Sequence, residues 1–237
     1  MNRRIFLSAV ACAALTSLHA AEPERETRDI EGWTVRIDRR LLADDAAATA
    51  KALELLIAQL REINRAVPAS AAVHLHKVPL WISPEYPGVQ PKAEYHPDAR
   101  WLREHGRDPA MAKGVEFTNV RIFEREVSRM PVFALHELAH AYHDRVLGFE
   151  NAEIEAAYQR AKTSGSYERV ERRHGSGKPN TFERAYAMTN AKEYFAESSE
   201  AFFGTNDFFP FTRDELSKHD PEMLRLLERL WTNPPKR

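Results

Sequence analysis

Apolar side chains recur every three or four residues in several stretches of this sequence, which is the spacing of an amphipathic helix. The longest stretch is 44–67, where Asp44 is placed to cap the helix and Pro68 to end it. Its buried face is predicted to consist of Leu53, Leu56, Ile57, Leu60, Ile63 and Val67. The same spacing predicts further helices over 154–161, 191–203 and 221–231.

Alternating or β-branched stretches predict strands in the first half of the chain. We expect strands over 33–37 and 73–82, and again over 115–117 and 120–123, where an edge strand would offer its main chain to an extended peptide. The charged stretch 22–28 is expected to be loose. The Pro-rich and aromatic-rich stretch 83–107 is expected to be an irregular loop that packs on the domain surface.

A helix over 131–147 is predicted to carry the chemistry. Ser128 is expected to cap this helix, Pro131 fits its first turn, and Gly148 supplies a stop. The helix contains the sequence H-E-L-A-H at residues 136–140.

Residues four apart lie on one face of a helix, so His136 and His140 can offer two imidazole nitrogens to one zinc ion. Glu137 lies beside them and can reach a water on the metal without occupying it, as a general base must. A straight helix separates His136 from His143 by about 10.5 Å, so one ion cannot bind both. His143 is therefore predicted to line the cleft or to support a ligand, and the third ligand must come from elsewhere.

Three carboxylates in the helix predicted over 191–203 are candidates for that ligand. Glu193, Glu197 and Glu200 lie on one stripe, where like charges repel one another. A dication beside the stripe would make this arrangement favourable. One of the three is the candidate third ligand, and another is expected to support a ligand histidine.

The sequence Y-A-M-T-N-A-K-E-Y-F-A-E at 186–197, following the H-E-L-A-H motif, resembles the catalytic domain of anthrax lethal factor-like zinc peptidases. The resemblance covers roughly 115–231. It implies a zincin-like α+β fold, mostly helical, with a small sheet next to the motif helix. It also implies that Glu193 is the third zinc ligand, that Glu197 supports the ligands, and that Tyr186 assists the chemistry.

The N-terminal residues and the composition of the chain bear on its localisation, domain organisation and partners. Residues 1–20 have a positive start and a short apolar stretch, which predicts a signal peptide, exported by the general or the twin-arginine route to the periplasm or outside the cell. The remaining 21–237 is predicted to be one domain, with a strand and helix part over 28–110 and a catalytic part over 111–237. A net charge of −1 without a basic block argues against nucleic acid as a partner, and we expect no membrane span after the signal peptide.

The expected function is that of a secreted metallopeptidase with one Zn²⁺ per chain and a peptide or protein as substrate. Glu137 would be the general base, and Tyr186 would stabilise the oxyanion. Two alternatives stay open on the sequence. The chain can be a secreted zinc-binding or structural protein without peptidase activity, or a zinc amidase that acts on a non-peptide substrate such as cell-wall material.

Overall fold

A five-stranded mixed sheet lies against the helix that carries the H-E-L-A-H motif. The computed structural model describes residues 24–175 and 177–233, so the predicted signal peptide lies outside the described residues. The strands are β1 (Arg25–Ile30), β2 (Trp33–Asp38), β3 (Leu80–Ile82), β4 (Ala93–Tyr95) and β5 (Val115–Phe117). Their order in the sheet is β1-β2-β3-β5-β4, in which β2, β3 and β5 are parallel and the two outer strands are antiparallel to their neighbours.

Helices make up most of the rest of the structure. The fold as a whole is therefore mixed α+β. They are α1 (Arg39–Asp44), α2 (Ala46–Ala66), α3 (Ala69–Leu75), α4 (Ala99–Glu104), α5 (Phe123–Arg129), α6 (Phe133–Tyr142), α7 (Ala152–Ser164), α8 (Ala191–Phe203), α9 (Arg213–His219) and α10 (Pro221–Thr232). A π-helical turn, His143–Leu147, continues α6. A small hairpin pairs β6 (Val170–Arg172) with β7 (Thr181–Glu183).

Aromatic stacking joins the two helices that matter most for the site. Trp231 of α10 stacks on Tyr142 of α6, with ring centroids 4.2 Å apart, and on Phe195 of α8, at 5.8 Å. The Trp231 indole N–H also donates to the hydroxyl of Ser199 in α8. All of these rings are fully buried. The last helix thus fixes α6 and α8 side by side.

The apolar pattern predicted most of the long helices and strand β2. The strand expected over 33–37 is β2, and the helix expected over 191–203 is α8, which ends before Gly204 as predicted. Of the face predicted for α2, residues Leu53, Leu56, Leu60 and Ile63 are buried, whereas Asp44 does not cap that helix because it belongs to α1. The helices expected over 154–161 and 221–231 extend slightly further, as α7 and α10.

Several short elements differ from the prediction. The charged stretch expected to be loose forms β1, because its main chain pairs with β2 along its whole length. The strand expected over 73–82 is instead α3 followed by β3. The strand expected over 120–123 is a 3₁₀ turn that leads into α5.

The exposed edge of the sheet beside the motif helix is β4, and not the strand over 115–117 as expected. β5 lies between β3 and β4, so both of its edges are paired. The stretch 83–107, expected to be an irregular loop, supplies both β4 and α4. Three residues between prolines carry no strand pattern of their own, and pairing with β5 gives them their conformation.

The motif helix is also shorter at its start than predicted. It begins at Phe133 after Val132, which makes no side-chain capping bond, and Ser128 belongs to α5 instead. Its end agrees with the prediction, because Gly148 adopts a φ of 84° directly after the π-helical turn. No helix within 24–175 and 177–233 is long and apolar enough to cross a membrane.

The two parts expected within 21–237 share one sheet and one core. β5, from the second part, is inserted between β3 and β4 of the first. One continuous cluster of buried apolar residues extends from Trp33 to Trp231. The motif helix α6 and the helix α8 therefore rest on structure supplied by both parts.

Candidate functional site

Three side chains from two helices converge on one point. His136 and His140 lie one turn apart on α6, and Glu193 lies in the first turn of α8. The Nε2 atoms of the two histidines are 3.1 Å apart. Glu193 Oε2 is 3.2 Å from His136 Nε2 and 3.2 Å from His140 Nε2. The three donor atoms form a nearly equilateral triangle.

This triangle has the size that a tetrahedral zinc site requires. Zinc binds imidazole nitrogen and carboxylate oxygen at about 2.0–2.1 Å, which places neighbouring donors of a tetrahedron about 3.3 Å apart. The observed separations of 3.1 and 3.2 Å are close to that value. Two neutral imidazoles and one carboxylate are also a donor set that zinc accepts, with a fourth position left for water or substrate. The residues present therefore fit the metal.

The start of α8 explains why Glu193 points at the histidines. Asn190 caps this helix, and its side chain accepts hydrogen bonds from the main-chain N–H groups of Lys192 and Glu193. The cap fixes the first turn, and the positive end of the helix dipole favours a carboxylate there. The pKa of Glu193 lies well below its usual range, because hydrogen bonds from His136 and His140 outweigh its burial.

Glu200 makes a closer contact with His136 than Glu197 does. Nδ1 of His136 lies 2.6 Å from Glu200 Oε1 and 3.8 Å from Glu197 Oε1. Glu197 instead accepts a hydrogen bond from the amide of Asn206 at 3.1 Å. The structure thus adds Glu200 as the close partner of His136, and the role of Glu197 as a residue that supports the ligands stays a prediction. Nδ1–H of His136 donates to Glu200, which directs Nε2 toward Glu193 and His140, where it could bind a metal.

Burial and neighbouring charges shift the pKa values of His136, Glu197 and Glu200. Glu197 and Glu200 are almost completely inaccessible to water. Burial, together with the charge of Glu200, raises the pKa of Glu197 well above its usual range. Burial also raises the pKa of Glu200 to about 7, against the opposing effect of His136. Burial opposes a charge on His136, but its bonds to Glu193 and Glu200 raise its pKa well above the usual value.

Glu137 faces the cleft beside the three donors. Its Oε2 accepts a hydrogen bond from the main-chain N–H of Tyr95 in β4 at 2.8 Å. The side chain is only partly buried, and it lines a cavity of about 200 Å³. This is the position that a general base would require, next to His136 but outside the triangle of donors.

Tyr186 lines the same cavity. It lies in a 3₁₀ turn before α8 and is 48% exposed. Partial burial raises the pKa of its hydroxyl, and the charge of Glu193 adds to this effect. The hydroxyl therefore stays protonated near neutral pH and can donate a hydrogen bond. The cavity brings Tyr186, His136 and Glu137 to one space, as the sequence predicted for a common site.

His143 lies away from the donor triangle. It is fully buried in the π-helical turn, where its ring contacts the rings of Phe149 and Phe195 at centroid distances of 5.2 and 5.0 Å. Neither ring nitrogen has a hydrogen-bond partner in the described part of the chain. Burial, with smaller electrostatic contributions from His140 and Lys192, lowers the pKa of His143 to about 3. Its ring thus packs between the π-helical turn and α8, and it is not among the residues that line the cavity.

Sequence reasoning did not single out Glu200 as the partner of His136, and it did not place Tyr95 beside Glu137. Glu200 was one of three equivalent candidates on a stripe, and Tyr95 lies in a stretch without a strand pattern. Only the packing of β4 against α6 brings the main chain of Tyr95 to Glu137.

Comparisons with models of protein families, with curated proteins and with solved structures found no match to this chain. Its function must therefore be inferred from the site itself.

Proposed function

We propose that this protein is a zinc-dependent metallopeptidase. The observation that carries the proposal is the triangle formed by His136, His140 and Glu193, with 3.1–3.2 Å between donor atoms, at the wall of a cavity that also contains Glu137. A structural zinc site is usually closed by four protein ligands, whereas a catalytic site has three and one open position. Three donors beside an accessible carboxylate therefore favour catalysis over a purely structural role.

The edge of the sheet supports a peptide as the substrate. In antiparallel pairing, alternate residues direct their main-chain groups to opposite sides of a strand. The main chains of Lys92 and His96 bond to the β5 side, at Thr118 and Gly114. Residues one position away, such as Ala93, therefore point their N–H and C=O groups away from β5. Because Ala93 also lines the cavity, an extended peptide can pair with this edge of β4.

A few groups would each carry one part of the proposed hydrolysis. When bound, zinc supplies a Lewis acid that polarises the scissile carbonyl and lowers the pKa of the attacking water. Glu137 accepts a proton from that water and later delivers one to the leaving amine nitrogen. Tyr186 donates its hydroxyl proton in a hydrogen bond to the oxyanion that develops on the carbonyl oxygen. Glu200 holds His136 in the tautomer that leaves Nε2 available.

The proposal includes export. Residues 1–20 have the charge and apolar pattern of a signal peptide, and the only cysteine, Cys12, lies within them. A mature chain without thiols suits an oxidising compartment outside the cytoplasm.

Cleavage of a broad peptide library tests this function directly. The zinc-loaded mature protein is expected to cleave members of the library, and Glu137→Ala is expected to bind zinc normally but to cleave none. Equal cleavage by both proteins would contradict the role of Glu137 and point to a contaminating peptidase. Digestion of peptidoglycan with no cleavage of any peptide would assign the site to a non-peptide amide instead. No hydrolysis of either substrate by zinc-loaded protein would favour a zinc-binding protein without enzymatic activity.

A further inference from the structure

We infer that Tyr95 is the residue that positions Glu137, using its main-chain N–H as the donor and its side chain as the anchor that keeps this donor in place. This inference rests on the proposed function, because it assigns Tyr95 a role in the same reaction. Tyr95 would be a positioning residue, since it acts on Glu137 and does not touch the substrate.

Both ends of Tyr95 are bound to the segment that carries the motif. The main-chain N–H donates to Glu137 Oε2 at 2.8 Å, and the hydroxyl donates to Asp144 Oδ2 at 2.6 Å. Glu137 lies in α6, and Asp144 lies in the π-helical turn that continues it. Tyr95 thus spans two turns of one helical segment and holds β4 against it.

The anchor is built from buried and charged groups. Tyr95 is 6% exposed, and burial together with the charge of Asp144 raises the pKa of its hydroxyl, so the hydroxyl remains a donor. Lys113 forms an ion pair with the same oxygen of Asp144 at 2.5 Å. Arg145, the next residue, donates to the main-chain carbonyls of Lys77 and Lys113. The π-helical turn therefore directs two consecutive charged side chains toward the sheet.

Holding one carboxylate oxygen has a direct consequence for a general base. A free glutamate rotates about its last side-chain torsion, which exchanges its two oxygens and spreads their positions. The bond from Tyr95 fixes Oε2, so Oε1 becomes the oxygen that faces the reacting water. Because the donor is a main-chain group, replacing the side chain by any residue other than proline keeps it, and a shift of β4 relative to α6 is what moves it.

A second tyrosine offers a matched control. Tyr86 lies in the same stretch before β5, and its hydroxyl also donates to a carboxylate, Glu116 Oε1, at 2.8 Å. Glu116 itself is fully buried and bonded to His96, so it belongs to a different cluster from Glu137. Replacing either tyrosine by phenylalanine removes one hydroxyl–carboxylate bond and keeps the ring. Only the change at position 95 loosens the anchor of the N–H that Glu137 accepts.

The test combines amide exchange with kinetics on the zinc-loaded mature chain. Glu137→Ala removes the acceptor and is expected to speed hydrogen exchange of the Tyr95 amide at least tenfold, while the amides of β5 keep their rates. Tyr95→Phe is expected to speed exchange of the same amide and to lower kcat about tenfold, with KM within about threefold of wild type. Tyr86→Phe is expected to change neither the exchange of amide 95 nor kcat.

The outcomes separate this inference from the proposed function. If the wild type cleaves no peptide, the proposed function fails, and the exchange rates of amide 95 still decide whether Tyr95 binds Glu137. Unchanged exchange of amide 95 in Glu137→Ala would overturn the inference. An equal loss of kcat in Tyr95→Phe and Tyr86→Phe would also overturn it, because a general loss of structure would then explain both.

Discussion

His136 donates from Nδ1 to Glu200 at 2.6 Å, so a carboxylate from the third turn of α8 orients one of the proposed zinc ligands on α6. The oxygen of Glu200 that faces away from His136 has no partner in the described part of the chain, so the His136 bond is the main polar contact of this buried carboxylate. A histidine held this way is a better ligand, since its ring orientation and tautomer are fixed before the metal binds.

We predict that Glu200→Gln weakens zinc binding about 10–100-fold, because a neutral amide is a poorer partner for Nδ1–H than a carboxylate. Competition with a zinc chelator measures the affinity. Glu197→Gln serves as the control and is expected to have a smaller effect, since Glu197 Oε1 is 3.8 Å from Nδ1. A larger loss in the Glu197 variant would make Glu197 the main supporting residue.

Tyr186→Phe is predicted to lower kcat about 10²–10³-fold, because it removes one donor to the developing oxyanion. KM is expected to stay within about threefold, since the phenyl ring preserves the wall of the cavity. Steady-state kinetics on one cleaved peptide gives both values. A raised KM with an unchanged kcat would make Tyr186 a residue that binds substrate in its ground state.

His143→Leu is predicted to remove a source of acid sensitivity. The pKa of His143 is about 3 in the folded chain, whereas an unfolded histidine has a pKa of about 6.5. The unfolded state therefore binds more protons below pH 6.5, and this group costs stability as the pH falls. Relative to the variant, the wild type is expected to lose about 2 kcal/mol between pH 7.5 and 5.

Urea unfolding of both proteins without zinc, at the two pH values, measures this difference. All groups other than residue 143 titrate in both proteins, so they cancel in the comparison. A difference in unfolding free energy that is the same at pH 7.5 and 5 would show that His143 is charged in the folded chain.

Trp231→Ala is predicted to destabilise the fold by about 3–5 kcal/mol, because it removes a buried ring between Tyr142 and Phe195 and leaves a cavity. For a chain of this size the melting temperature should fall by about 10 °C. Trp101→Ala is the control, since Trp101 is 38% exposed, and a smaller fall is expected. Equal falls would mean that α10 does not hold α6 and α8 together.

Local patterns predicted the long elements well. Asn190 and Gly204 flank an apolar stripe, and both ends of α8 lie where the sequence indicates. The two histidines could be chosen because helical spacing is a local property. Spacing and like-charge repulsion left Glu193, Glu197 and Glu200 as equal candidates, and only the resemblance of the motif pointed to Glu193. Short elements such as β4 and α3 could not be chosen, since their conformation depends on pairing and packing with distant segments.

Helical spacing alone does not decide whether Glu197 or Glu200 is the partner of His136. A step of seven residues returns within about 20° of the starting direction, and a step of four within about 40°, on the other side. Both carboxylates therefore point toward α6, and only the axial position and packing of α6 decide which one meets Nδ1 of His136. The position of Tyr95 could not be predicted either, because no local pattern places β4 next to Glu137.

Zinc content of the purified mature protein, wild type beside Glu193→Ala, is the first measurement to make. Glu168→Ala is the control, because Glu168 is an exposed carboxylate paired with Arg184. Wild type and control are predicted to bind one zinc per chain, and Glu193→Ala is predicted to lose it or to bind it far more weakly. A folded wild type that binds no zinc, or a Glu193 variant that binds it as tightly as wild type, would contradict the three-ligand site.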